Sequence, residues 1–220
     1  MESASTENLS ALPEPETLRR TCKALAALDV LLQPEDWLRY HFYDPAWAEG
    51  VQLAKVDNGA GDNMFCFFAP AGTVIRGFDH ESPVSPHGQE EFRAWPGMFD
   101  GLPAPLSVLL DDLASDDDRE DFREEVTFCL WWPASSTAWQ VGPVQPPIDG
   151  DDGSGFLLGT LFPTAEDYLD WAQDYYDRKI PLEPVRRVYE RLTLDEETAR
   201  EINPQLDFEA VRQEIRSILG

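Results

Sequence analysis

The stretch Val51–Ser82, VQLAKVDNGAGDNMFCFFAPAGTVIRGFDHES, decides how this chain folds. Val51 to Val56 alternates apolar with polar residues, the pattern of a strand with one buried face. Asp57-Asn58-Gly59 follows, and Asn and Gly tolerate the positive φ that a tight hairpin turn requires. Met64 to Phe68 is a continuous apolar run between turn residues, which predicts a strand buried on both faces and therefore central. Pro70-Ala71-Gly72 turns the chain into a third strand, Thr73 to Phe78, where Val74 and Phe78 share a face with Arg76 between them. Successive strands joined by short turns form an antiparallel meander, and helical patterns on both sides of this stretch make the fold class α+β.

Before the meander, residues 1–14 hold no periodic apolar set and read as a loose tail. From Pro15, Leu18, Cys22, Leu25, Leu28 and Leu32 recur at helical intervals. Pro34-Glu35-Asp36 then opens a predicted second helix carrying Trp37, Leu38, Tyr40 and His41 as far as Asp44-Pro45. After the meander, Pro-rich breaks lead to a predicted helix over Pro105–Leu113 and an acidic run over Asp111–Glu125. Glu125–Trp132 reads as a strong strand with Thr137–Val141 as its antiparallel neighbour, Gly142–Gly155 as a loop, and Phe156–Phe162 as a further strand. Helices over Ala165–Arg178, Leu182–Leu192, Asp195–Ile202 and Phe208–Leu219 complete the chain. Thr164 and Thr193 head capping patterns for two of them. The organisation is one α+β domain over residues 15–220, with a central, mainly antiparallel sheet flanked by helices and a helical C-terminal region from about Thr164.

With 42 acidic against 17 basic residues in 220, the formal net charge is -25. Such a surface repels phosphate backbones and anionic membranes and attracts basic proteins, so direct nucleic-acid or membrane binding is disfavoured and a basic protein partner is favoured. Solubility or a salty habitat accounts for the acidity equally well. No apolar run reaches the roughly 20 residues of a membrane span, and the N-terminus lacks the basic start and apolar run of a secretory signal; the expected address is cytoplasmic. Cys22, Cys66 and Cys129 lie far apart among apolar residues and read as reduced core residues.

Asp79, His80, Glu81 and His87 form the densest set of potential metal ligands or acid–base groups. The spacing matches no metal or catalytic motif, so these read first as surface loop residues; the alternative is a hydrolase or metal-dependent enzyme using Asp79, His80 and Glu81, with His80 and His87 as metal ligands. The loops Asp57–Asn63 and Asp149–Gly155 carry the carboxylates of a calcium site but not the spacing of an EF-hand, and turn chemistry explains both. There is no nucleophile elbow and no phosphate-binding glycine loop, and no cofactor is called for. The patch favoured for partner binding joins Asp116, Asp117, Asp118, Glu120 and Asp121 to Trp131 and Trp132, since carboxylates around aromatic side chains suit a basic, partly apolar partner. Carboxylates that mimic nucleic-acid charge are a third possibility.

A helical opening, a meander carrying Val56-Asp57-Asn58-Gly59, the aromatic strand Met64–Phe68, a turn at Gly72, a strand to Phe78, Trp- and Pro-rich loops and terminal helices together resemble the SMI1/KNR4 superfamily over about Pro34–Leu113. That resemblance implies an α+β fold and a non-catalytic binding role, as a bacterial immunity protein against a basic toxin or as a regulatory interaction protein.

Overall fold

In the computed structural model, which describes residues 3–111, 123–145 and 151–220, strand β3 (Asn63–Ala69) is the centre of the packing. Met64, Cys66 and Phe68 pack on one side of the sheet, Phe65 and Phe67 on the other, and all five are buried. Burying each large apolar side chain contributes about 1.5–3 kcal/mol, so a strand loaded on both faces holds two layers to one sheet. The sheet runs in chain order, β1 (His41–Ala48), β2 (Val51–Asp57), β3, β4 (Gly72–Phe78), β5 (Phe128–Pro133) and β6 (Gln140–Val141), with every neighbouring pair antiparallel. The predicted meander is therefore present and extends further in both directions. Register places Asp57 opposite Asn63 and Asn63 opposite Phe78, which brings the end of β2, the start of β3 and the end of β4 to one edge.

Helix α1 (Pro15–Leu32) covers one face with Leu18, Leu25, Leu28 and Leu32, all but completely buried. The C-terminal helices α4 (Ala165–Tyr175), α5 (Leu182–Arg191), α6 (Glu196–Ile202) and α7 (Phe208–Leu219) share that core, with Val211, Ile215 and Ile218 forming the predicted apolar stripe of α7. The opposite face is covered by the irregular segment around Met98 and by Leu106 of α2 (Ala104–Ser107), followed by a 3-10 turn over Val108–Leu110. Cys22, Cys66 and Cys129 are free and buried, as expected for core residues. Cys22 and Cys66 meet across α1 and β3, and the hydrogen bond between them, with burial, holds the Cys66 thiol well above its usual range.

Four local expectations change. The helix predicted from Pro34 is only a 3-10 turn, Asp36–Leu38, and the chain from His41 is strand β1. Trp37, Leu38, Tyr40 and His41 fit helical spacing, but Asp29 of α1 accepts the Tyr40 and His41 backbone N–H groups, and β2 pairs with the chain from His41 onward. Phe156–Phe162 is not a strand: Ser154–Gly159 forms α3, burying Leu157 and Leu158. Short apolar runs carry no periodicity that separates the two states. The cap of α6 is Asp195, which accepts the Thr198 N–H at 2.8 Å, in place of Thr193. The segment read as a loose tail is tied down from its third residue: the Thr6 N–H donates to Ser154 Oγ at 3.0 Å, Leu12 is buried, and Trp139 Nε1 donates to the Pro13 carbonyl at 2.8 Å.

Candidate functional site

One end of the sheet collects the chemistry-bearing side chains, because β1 and β3 start there while β2 and β4 finish there. The β2–β3 turn is built around Asn58, whose Oδ1 accepts the Ala60 and Asp62 N–H groups at 2.8 and 3.1 Å. Gly59 and Gly61 take positive φ, +67° and +111°, as such a tight return requires. Asp62, only 5% exposed, is thereby aimed across the turn toward the end of β4. Its Oδ1 accepts the His80 backbone N–H at 2.9 Å and faces His80 Nδ1 at 2.6 Å, while Asn58 Nδ2 donates to Oδ2 at 2.6 Å.

The electrostatics arise from these contacts. Burial alone would raise the Asp62 carboxyl, but the hydrogen bonds from His80 and Asn58 outweigh it and its pKa lies below the usual carboxylate value. The Asp62 hydrogen bond, reinforced by its charge, holds the half-exposed His80 ring above the ordinary histidine value. Asp79 moves the other way, raised chiefly by burial, with the Asp62 and Asp151 carboxylates adding to the shift. One donor atom from each of Asp62, Asp79 and His80 lies within 4.8 Å of the other two. With Nδ1 against Asp62, the His80 ring is fixed in orientation, the arrangement by which a carboxylate prepares an imidazole to accept a proton or bind a cation.

Asp79 and His80 therefore do come together, but with Asp62 as their third member and without Glu81 or His87. Glu81 is exposed, and its backbone N–H closes a turn on Asp79 Oδ1. His87 instead faces Glu125 at 2.7 Å and packs against Phe78 and Phe92. Apart from Asp62, the described carboxylates of the two aspartate-glycine loops hold turns: Asp57 accepts the Gly59 N–H, Asp151 that of Gly153, and Asp152 that of Ser154.

The expected partner patch divides. Asp116, Asp117, Asp118, Glu120 and Asp121 lie outside the described residues. Trp131 is a core residue, 2% exposed, with Nε1 donating to Gln140 at 3.0 Å, so it is no surface anchor. Trp132 is half-buried, edge-on to Trp139. Among the described residues the most exposed aromatic side chain lies instead just before β1. Trp37, 74% exposed, occupies the acidic turn Glu35-Asp36-Trp37-Leu38, where its own N–H donates to Asp36 Oδ1 at 2.8 Å. Two residues beyond Leu38, the Tyr40 ring meets Trp171 and the half-exposed Tyr175, which stack on each other with centroids 4.7 Å apart. The Asp57 N–H donates to the Tyr40 carbonyl at 2.9 Å, which sets this aromatic group beside the β2–β3 turn, and burial first, then Tyr175 and the carboxylates of Asp62 and Asp57, pushes the Tyr40 phenol up to about 12.

Beneath that surface lies a buried polar network. The wholly buried Asp29 carboxylate accepts the N–H groups of Tyr40 (3.2 Å) and His41 (2.8 Å) and the Tyr168 hydroxyl (2.7 Å), and faces His41 Nδ1 at 3.0 Å. His41 Nε2 faces the Thr160 carbonyl at 3.0 Å. Both ring nitrogens thus face oxygen atoms, and Asp29, His41 and Tyr168 form a buried hydrogen-bonded network that clamps α1, β1 and α4 together.

Sequence reasoning passes over Asp62, Asp29 and His41 as functional or organising groups. Asp62 reads as one more turn residue in Asn58–Asn63, and only the β3–β4 register places it against His80, 18 positions away. Among the described residues no helix is long and apolar enough to cross a membrane. Comparison of the chain with known protein families, with characterised proteins and with solved structures found no match.

Proposed function

We propose that this chain is a non-catalytic, acidic protein-binding domain whose partner presents a basic surface, acting in the cytoplasm as an immunity protein that neutralises a basic toxin or as a regulatory interaction protein. The observation that carries this reading is Trp37, three-quarters exposed on a turn whose two preceding residues are carboxylates. Leu38 follows it with a further exposed apolar side chain, and the half-exposed Tyr175 packs on the ring of Tyr40, three residues beyond Trp37. A large aromatic ring ringed by acid suits a partner that brings a pocket or an aliphatic stem together with cationic groups.

The net charge of -25 accelerates encounter with such a partner and opposes contact with phosphate backbones and anionic membranes. The resemblance to the SMI1/KNR4 superfamily over Pro34–Leu113 supports the same class of role. The test is affinity capture from the producing cells, at low and at moderate salt, with wild type and Trp37→Ala compared in parallel by mass spectrometry. A basic protein held by wild type, reduced by salt and lost from Trp37→Ala supports the reading. Equal retention by both removes this surface from it. Charge reversal across Asp116, Asp117, Asp118, Glu120 and Asp121 tests the acidic run separately, and unchanged capture would sink that part.

A further inference from the structure

The Asp62, Asp79 and His80 cluster lies on two turns that leave adjacent strand ends, and its three donor atoms are mutually within 4.8 Å. We propose that it binds one divalent transition-metal ion of the zinc or manganese kind, with His80, Asp79 and Asp62 as the protein ligands. This goes beyond the protein-binding role and does not depend on it.

An imidazole with two carboxylates is a donor set that such ions accept, and a neutral ring with two ionised carboxylates leaves two negative charges for a dication to neutralise. Among the described residues, no Lys or Arg forms an ion pair with Asp62, Asp79 or Asp151, whereas Glu16, Glu166, Glu201 and Glu209 each hold an arginine. Asp79 Oδ1 accepts the Glu81 N–H, and no described residue donates to Oδ2.

The Asp62–His80 pair needs little adjustment, and the Asp79 oxygen lies within 4.8 Å of both. Ligand atoms at about 2.0–2.2 Å from a metal lie roughly 3–3.5 Å apart. The 2.6 Å contact between Asp62 Oδ1 and His80 Nδ1 therefore opens by less than about 1 Å, the ion taking the place of the proton held there, which leaves to solvent. Outer support is already present, since Asn58 Nδ2 holds the second oxygen of Asp62.

Gly153 makes the approach of a third loop possible. It has φ +78°, and a Cβ built there would fall 2.3 Å from Asp79 Cβ and 2.6 Å from its Oδ2. Any side chain at this position would displace the Asp79 carboxylate. Gly61 has φ +111°, and a Cβ built there would only just touch the His80 ring, at 3.8 Å.

The experiment is calorimetric titration of the metal-free full chain with ZnCl2 and with MnCl2, in excess magnesium and moderate salt to suppress diffuse binding to the acidic surface. His87→Ala serves as a control outside the cluster. The expected result is one saturable site per chain, weakened at least about tenfold by Asp79→Asn and by His80→Ala and unchanged by His87→Ala. In imidazole NMR spectra, His80 resonances shift on titration while those of His41 stay in place. Near-UV circular dichroism establishes that each variant is folded, and Asp79→Asn, the smaller change, carries the test if His80→Ala is not. Absence of a saturable site up to about 1 mM metal overturns the proposal, and so does undiminished binding by a folded Asp79→Asn or His80→Ala variant.

Discussion

Replacing Asp29 with alanine removes the acceptor on which four described donors converge: the N–H groups of Tyr40 and His41, His41 Nδ1 and the Tyr168 hydroxyl. Each buried donor left without a partner costs about 1–3 kcal/mol. The four losses do not add in full, since water can reach some of the freed donors. The expected destabilisation of Asp29→Ala is therefore about 3–5 kcal/mol, a large share of the 5–15 kcal/mol typical of a whole domain. Tyr168→Phe deletes one donor and leaves the carboxylate its other partners, so about 1–1.5 kcal/mol is expected. Urea unfolding at neutral pH, followed by tryptophan fluorescence and circular dichroism with the m-value checked for constancy, measures both. A loss below about 1.5 kcal/mol in Asp29→Ala, no larger than in Tyr168→Phe, would refute the buried clamp.

Two further perturbations test the turns. Gly72 has φ +140°, and a Cβ there would meet the Trp132 carbonyl oxygen at 2.2 Å, so Gly72→Ala must push β4 from β5. A loss of about 1–3 kcal/mol in urea unfolding is expected, and a neutral result would contradict the close pairing of those strands. The Asp62–His80 pair predicts a pH signature. The folded-state pKa of His80 is raised, so its contribution is complete below the unfolded value of about 6.5 and fades as pH rises through the folded one. The folded-state pKa of Asp62 is lowered, so its contribution is present above the unfolded value of about 3.9 and fades as pH falls through the folded one. Asp62→Asn should thus cost most stability between these limits, near pH 5–6, less at pH 8.5, and should lower the His80 pKa in an NMR titration. An unchanged His80 titration would remove the pairing.

The elements legible in the sequence are those whose own residues settle their state. Met64–Phe68, a short aromatic run set between turn residues, reads as a strand covered on both sides, Asn58-Gly59 reads as a turn, and the leucine spacing of residues 18–32 fits one helix face. Strand β1 is hidden because Tyr40 and His41 are held extended by a carboxylate 11 and 12 positions earlier and by pairing with β2, neither of which is local. The segment Ser154–Gly159 is misleading because two buried leucines in a short apolar run serve either state. At the candidate site, Asp79 and His80 stand out by residue type, whereas Asp62 is recognised only when the β3–β4 register brings its turn against theirs. Trp37 outranks Trp131 as a surface anchor because it follows two carboxylates in a 3-10 turn, whereas Trp131 of β5 is buried in the layer that contains Met98 and Leu106.

The central claim, that an acid-flanked aromatic surface binds a basic protein, is tested most directly by the dissociation constant of the captured partner for wild type and for Trp37→Ala, measured by calorimetry at two salt concentrations. The account predicts that Trp37→Ala, folded as judged by near-UV circular dichroism, weakens binding at least about 30-fold, the equivalent of about 2 kcal/mol, and that added salt weakens wild-type binding too. Equal affinities for the two chains, unaffected by salt, would contradict it.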